Sequence, residues 1–105
     1  MRRIKILAIT GIRSEYDILY PIISALNLDD QFELKLVLSG AHLSDWHGDS
    51  ISAIKSDGFD IADCIDSLIT TNRNTQRVKG VGMLTIGLSQ TLEKEQPDML
   101  LVIGD

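Results

Sequence analysis

Cysteine is almost absent from this 105-residue sequence, which contains only Cys64. A single cysteine cannot form an internal disulfide, and neither a second thiol nor paired histidines at ligand spacing accompany it. A disulfide scaffold and a structural metal site are therefore disfavoured, and a reducing, cytoplasmic setting fits this composition. We interpret Cys64 as a small buried hydrophobic residue.

Positive charge is also scarce: the sequence has ten lysines and arginines and fifteen aspartates and glutamates, which gives a net charge of -5. No basic stripe is present that could neutralise a phosphate backbone, so nucleic acid is not expected as a partner, whereas binding of one small anion stays open. No apolar run approaches the roughly 20 residues needed to cross a bilayer, so no membrane partner is expected. The short N-terminal run ends in Gly11 and Arg13 rather than at a small-residue cleavage site, and we interpret it as a strand rather than a signal peptide.

Two nucleotide-binding fingerprints are missing as well. No G-x-G-x-x-G follows the first apolar run, and the second ends in Ser39 and Gly40 rather than in an acidic residue, which disfavours NAD or FAD. No Gly-Lys-Ser is present for a P-loop. We therefore predict no cofactor.

Continuous apolar runs at residues 4–9, 34–38 and 99–103 are typical of parallel strands covered on both faces, and the alternating run at 59–69 favours an edge strand. Apolar residues at helical spacing predict three intervening helices. The second helix would be capped by Asp49 and stopped by Gly58, and glycines in the third, including Gly87, would permit close packing.

The predicted fold is therefore an α/β, Rossmann-like parallel sheet with element order β-α-β-α-β-α-β. Right-handed crossovers give the strand order 3-2-1-4, which places the carboxyl ends of strands 1 and 4 side by side at a switch point where ligands bind. A sheet whose fourth strand has no helix after it would expose apolar surface, so we expect the sequence to be part of a larger domain.

The segment GIRSEYD follows strand 1 at this crevice. Gly11 permits a sharp turn, the next helix presents unpaired N–H groups, and Arg13 offers a planar fork matched to phosphate, so the segment suits a diphosphate site. The same letters also predict a capping box, with Ser14 as N-cap and Asp17 at the third helical position. Both interpretations remain open.

Two other residues are candidates for chemistry. His42, in the loop after strand 2, could donate to a phosphate or sugar hydroxyl or transfer a proton, although a structural hydrogen bond is the commoner role. Asp105, at the end of strand 4, could be a base, a sugar-hydroxyl acceptor or a helix cap.

Taken in order, TGIRSEYDILYPII, LVLSGAHLS, IKSDGFDI, KGVGMLTIGLSQTLEKEQPD and LLVIGD resemble the hydrolysing UDP-N-acetylglucosamine 2-epimerases. The resemblance implies a two-domain GT-B-type fold, in which residues 1–105 form the first part of the N-terminal domain. The remainder of that domain and a C-terminal nucleotide-binding domain would be absent. It also implies that UDP is eliminated across C1 and C2 of the sugar and that water then adds to give the 2-epimer.

By the same resemblance, Arg13 would lie near the substrate diphosphate and Asp105 would be a catalytic acid or base. His42, the other catalytic candidate, matches a histidine that follows strand 2 in many relatives. Gly11, Ser14 and Asp17 complete the predicted substrate-binding segment, although Ile12 and Asp17 depart from the family pattern. The basic segment TTNRNTQR, residues 70–77, has no assigned role. We expect a homo-oligomer at full length, and no activity from the 105 residues alone.

The substrate and the class of protein are left open at this point. The leading substrate is UDP-N-acetylglucosamine, in nonulosonic (sialic) acid biosynthesis. The alternative is UDP-N,N'-diacetylbacillosamine, in legionaminic acid biosynthesis. From another class, a non-enzymatic flavodoxin-like module that binds phosphate or protein would share the fold.

Overall fold

A computed structural model describes residues 2–40, 50–66 and 73–103. The elements alternate as predicted: β1 (Ile4–Thr10), α1 (Arg13–Leu28), β2 (Phe32–Ser39), α2 (Ser50–Ser56), β3 (Ile61–Ile65), α3 (Asn74–Glu95) and β4 (Met99–Leu101).

The four strands form one parallel sheet in the order β3-β2-β1-β4, which confirms the predicted order 3-2-1-4. Strand β1 is central, since Ile6 aligns with Leu34 of β2 on one side and with Met99 of β4 on the other. Strand β3 lies at an edge, as its alternating pattern predicted.

Successive residues of β1 enter opposite halves of the core. Ile6 and Ala8 pack with residues of α1 and α2, including Leu19 and Ile54, whereas Leu7 packs with residues of β3 and α3. Helices therefore cover both faces of this strand, which explains its unbroken apolar sequence.

Cys64 corrects one sequence-based expectation, because its side chain is exposed rather than buried. Alternation along β3 directs Ile65 toward Gly87 of α3 and Cys64 toward the opposite face, at the edge of the sheet.

The predicted capping box at the start of α1 is also wrong. Ile12 is the N-cap, in extended conformation and without a side-chain cap, and the helix already begins at Arg13. The third helical position therefore falls on Glu15 rather than on Asp17. The Gly11 N–H donates to Oε1 of Glu15 across 2.7 Å, so a carboxylate reaches back as in a capping box while Ser14 takes no part.

Two of the predicted glycine roles are confirmed. Gly58 follows α2 with φ +93, the left-handed conformation expected of a helix stop. At Gly87, an added Cβ would lie 2.6 Å from Cγ2 of Ile65, so the absence of a side chain lets α3 pack closely on β3. The proposed cap Asp49 lies outside the described residues.

Ion pairs join three elements at the amino ends of the strands. The Glu95 carboxylate, at the end of α3, accepts from Nζ of Lys5 at 2.9 Å and from Nζ of Lys35 at 3.0 Å. These two hydrogen bonds lower the pKa of Glu95. The cluster lies at the opposite end of the sheet from the predicted crevice.

Candidate active site

An open cleft of about 510 Å³ lies at the carboxyl ends of β1 and β2, against the first half of α3. Its polar lining comes from Gly11, Glu15, Ser39, Gly40, Gln76 and Arg77. Its apolar lining includes Ile9, Val81, Leu84 and Ile103. This is the switch-point crevice that the predicted strand order located, because residues just after β1 and just after β4, Gly11 and Val102, both line it.

Two glycines bring the strand ends together at the cleft. Gly40 has φ +57, and an added Cβ would lie 2.9 Å from the carbonyl oxygen of Gly11. Both the left-handed conformation and this close approach require glycine at position 40. The backbone after β2 therefore touches the backbone after β1 directly, and both loops line the same cleft.

Glu15 also lines the cleft, although the sequence analysis did not single it out. Its bond from the Gly11 N–H ties α1 to the turn after β1. If the N-cap is placed at Ile12, two residues before the predicted Ser14, Glu15 falls at the third helical position, where a capping box has its glutamate. This spacing is the sequence signal that could have identified Glu15.

Arg13 lies beside the cleft and is not part of its lining. Its Nε donates to Oδ1 of Asp17 at 3.2 Å, and its Cζ lies 5.7 Å from the ring centroid of Tyr16. Both side chains of the Arg13–Asp17 pair are more than half exposed. Ser14 is exposed and does not line the cleft either. Of the four predicted binding residues, the structure thus brings Gly11 into the cleft and leaves the other three, on α1, outside its lining.

Tyr16 anchors the start of α1 in the core. The side chain is 1% exposed, and its hydroxyl donates to Oδ2 of Asp57, just after α2. Burial, together with the hydrogen bond to Asp57, raises the pKa of Tyr16. The Tyr16 ring also makes edge-to-face contacts with Tyr20 and Phe59. Arg13 therefore lies over the ring of a tyrosine that is anchored in the core.

The two predicted catalytic residues, His42 and Asp105, lie outside the described residues, and their roles remain predictions. Within residues 2–40, 50–66 and 73–103, no group of three or more His, Cys, Asp or Glu side chains is arranged to hold a metal ion. In the same part of the chain, no helix has the length and apolar character needed to span a membrane.

Gln76 and Arg77, in the first turns of α3, form the remaining polar lining. They come from the basic segment that had no assigned role. The sequence analysis noted its charge, but it could not show which of its residues turn toward the strand ends.

The sequence model of UDP-N-acetylglucosamine 2-epimerase matches residues 24–105. The chain belongs to this family. The resemblance inferred from the motifs is thereby confirmed, and the match spans β2, the cleft-lining part of α3 and β4.

Curated relatives in three bacteria share this similarity. The chain is 28% identical over 101 residues to a UDP-N,N'-diacetylbacillosamine 2-epimerase (hydrolyzing) of Legionella pneumophila, which covers 96% of the chain and 27% of the relative. It is also 28% identical over 101 residues to the polysialic acid biosynthesis protein P7 of Escherichia coli, a match that covers 96% of this chain and 26% of that protein. A GDP/UDP-N,N'-diacetylbacillosamine 2-epimerase (hydrolyzing) of Campylobacter jejuni is 26% identical over 105 residues, covering 100% and 27%.

Solved structures show the same fold. A Listeria monocytogenes protein described as a UDP-N-acetylglucosamine 2-epimerase superposes with a TM-score of 0.79 at 23% identity, over 100% of this chain and 26% of that one. The structure of a second UDP-N-acetylglucosamine 2-epimerase superposes with a TM-score of 0.77 at 12% identity, over 99% of this chain and 27% of that one. The epimerase family chain thus spans about a quarter of the length of the proteins it matches.

Proposed function

We propose that the chain is the first part of the N-terminal domain of a hydrolysing UDP-sugar 2-epimerase with a two-domain GT-B-type fold. The preferred reaction is UDP-N-acetylglucosamine plus water to N-acetylmannosamine plus UDP, in nonulosonic acid biosynthesis. The observation that carries the proposal is the family match over residues 24–105, together with a cleft at the switch point. Two of the relatives are named as hydrolyzing enzymes, which supports water as the second substrate.

A second substrate, UDP-N,N'-diacetylbacillosamine, is favoured by one specific observation. Two of the three curated relatives carry that sugar in their names, whereas the third is named for polysialic acid biosynthesis. Under either substrate we propose a cytoplasmic enzyme that forms a homo-oligomer.

The proposed reaction has two requirements. A base must remove the proton at C2 of the sugar, and the departing diphosphate must be stabilised as its charge grows. We assign the first role to Asp105, with His42 as a second acid–base group. The second role falls to the Gly11 turn, to Ser14 and the free N–H groups at the start of α1, and to Arg13.

Arg13 can serve the diphosphate at little energetic cost. Its present partner Asp17 is exposed, and exposed ion pairs contribute only about 0 to 1 kcal/mol. A diphosphate offers the guanidinium two oxygens in a bidentate arrangement, which is stronger than the single contact to Asp17. Asp17 then balances the charge of Arg13 when the site is empty.

The proposal is tested with the complete enzyme in deuterated water. UDP release would be followed with each of the two UDP-sugars, and the released sugar would be examined by NMR. We expect UDP and a 2-epimer carrying deuterium at C2, because the C2 proton is removed and then replaced from solvent. Retention of hydrogen at C2, or release of an unepimerised sugar, would contradict the elimination mechanism.

The role of Asp105 has its own test in the same assay. We expect Asp105→Asn to lower kcat by at least about 100-fold, the low end for loss of a positioned acid or base, without changing thermal stability. Near-normal turnover would limit Asp105 to binding or capping.

A further inference from the structure

Arg77 is the basic residue that the structure places in the cleft. Within residues 2–40, 50–66 and 73–103, no other lysine or arginine lines it. We propose that Arg77 binds the diphosphate of the nucleotide-sugar substrate, as a second cationic contact in addition to Arg13. This inference rests on the proposed function.

The position of Arg77 follows from the periodicity of α3. Gly80, Val81, Leu84 and Leu88 line the cleft at steps of three and four residues from Arg77, so they share one face of the helix. Leu84 and Leu88 pack against the sheet and fix the rotation of α3. Because parallel strands and their crossover helices run in opposite directions, the start of α3 lies at the carboxyl ends of the strands. Arg77 is therefore held on the side of the helix that faces the cleft.

The guanidinium of Arg77 has no protein partner in the described part of the chain. Its side chain makes no hydrogen bond or ion pair there, whereas Arg13, Lys5 and Lys35 are each paired with a carboxylate. Glu15, the acidic residue in the same lining, accepts instead from the Gly11 N–H. A diphosphate that binds Arg77 would thus displace only water, and no ion pair within the described residues would have to break.

The fork of an arginine also matches the ligand. A guanidinium binds two phosphate oxygens in one plane, while lysine offers only a point charge. The two sides of the cleft would then contribute differently, with the turn at Gly11 and the adjacent Arg13 on the β1–α1 side and the guanidinium of Arg77 on the α3 side. A diphosphate between them would be contacted from both.

The experiment uses the complete enzyme with three variants, Arg77→Ala, Arg77→Lys and Lys79→Ala. Lys79 is a matched control, since it lies on the same helix turn, is exposed and does not line the cleft. UDP binding would be measured by titration calorimetry, and KM for the UDP-sugar by UDP release. We expect Arg77→Ala to raise both the Kd for UDP and KM by roughly ten- to a hundredfold, the range for loss of a charge-assisted hydrogen bond. Arg77→Lys should recover part of this loss, and Lys79→Ala should match the wild type.

Three outcomes distinguish a failure of this inference from a failure of the proposed function. If the wild type releases UDP but Arg77→Ala binds UDP and turns over like the wild type, Arg77 is a solvated surface residue, and only the inference fails. An equal loss in Lys79→Ala would also overturn it, because the effect would then be general charge rather than a specific contact. If the wild type neither binds UDP nor releases it, the proposed function itself fails.

Discussion

At the scale of single residues, Tyr16 links the candidate site to the core. Its ring is buried against Tyr20 and Phe59, its hydroxyl contacts Asp57, and its face carries Arg13. A hydroxyl buried in this way must keep its proton, since a phenolate next to the Asp57 carboxylate would be repelled and poorly solvated. The hydrogen bond from Tyr16 to Asp57 therefore depends on a neutral tyrosine.

This dependence predicts a loss of stability at high pH. The native pKa of Tyr16 is raised, so its contribution is complete below the ordinary value of 10.0 and decreases as the pH rises above it, where only the unfolded tyrosine ionises. Denaturation of wild type and Tyr16→Phe between pH 8 and 11 measures the effect. The difference in unfolding free energy between the two proteins should shift in favour of Tyr16→Phe as the pH rises, and a constant difference would contradict the assignment.

Two glycines of α3 provide a matched pair for a packing prediction. An added methyl group at Gly87 would overlap Ile65, whereas an added Cβ at Gly82 meets nothing within 4 Å. We expect Gly87→Ala to destabilise by about 1 to 3 kcal/mol, as overpacking does, and Gly82→Ala to stabilise by up to about 1 kcal/mol through helix propensity. Urea denaturation of both variants would show opposite signs. Stabilisation by Gly87→Ala as well as by Gly82→Ala would mean that Ile65 moves aside freely and would contradict the prediction.

At the scale of elements, α1 begins two residues before the position that its sequence motif predicted. The helix begins at Arg13, so the residue that reaches back is Glu15, and the hydroxyl of Ser14 has no capping role. The turn after β1 is therefore fixed by a carboxylate within the helix rather than by a hydroxyl before it.

Substitutions at these two positions should differ accordingly. We expect Ser14→Ala to change the unfolding free energy by less than about 0.5 kcal/mol, as exposed positions outside a cap do. Glu15→Ala removes the acceptor of the Gly11 N–H and should cost about 1 kcal/mol, with Glu15→Gln retaining part of it through the amide oxygen. Thermal melts of the three variants test this, and a larger loss in Ser14→Ala than in Glu15→Ala would restore Ser14 as the cap.

The elements themselves were largely predictable, because the signals that specify them are local. Continuous apolar runs identified β1 and β2, and the crossover rule then set the strand order and the location of the cleft. Contacts between distant segments were not predictable. The pairing of Tyr16 with Asp57 joins residues 41 positions apart, and no periodic pattern encodes it. The exposure of Cys64 was missed for a related reason, since it depends on which face of an edge strand a helix covers.

At the scale of the whole molecule, the two ends of the sheet have different tasks. The carboxyl ends form the cleft, whereas the amino ends carry the ion pairs of Glu95 with Lys5 and Lys35. The Glu95 side chain is only 10% exposed, so its charge depends on both lysines. One carboxylate thus connects α3 to two strands, at the opposite end of the sheet from the cleft.

This arrangement predicts sensitivity to acid. The lowered pKa of Glu95 contributes stability that is complete above the ordinary value of 4.5 and decreases as the pH falls through the native value. The stability gap between wild type and Glu95→Gln should therefore be large at pH 7 and narrow near pH 3. Glu93→Gln is the control, because Glu93 is exposed and has no ion pair within the described residues. A gap that does not change with pH would assign the effect to packing instead.

The central position of β1 has a consequence for the order in which the sheet is assembled. β4, its second neighbour, comes much later in the sequence: the backbone N–H of Lys5 donates to the side chain of Asp98, 93 positions further on. During synthesis β1 can pair with β2 soon after both have emerged, but its other edge stays open until β4 is made. Closing so long a loop is slow compared with forming local contacts. Strand β1, which has a neighbour on each side in the described sheet, is thus an edge strand until residues 99–101 have been made, and over that time it is open to pairing with strands of other chains.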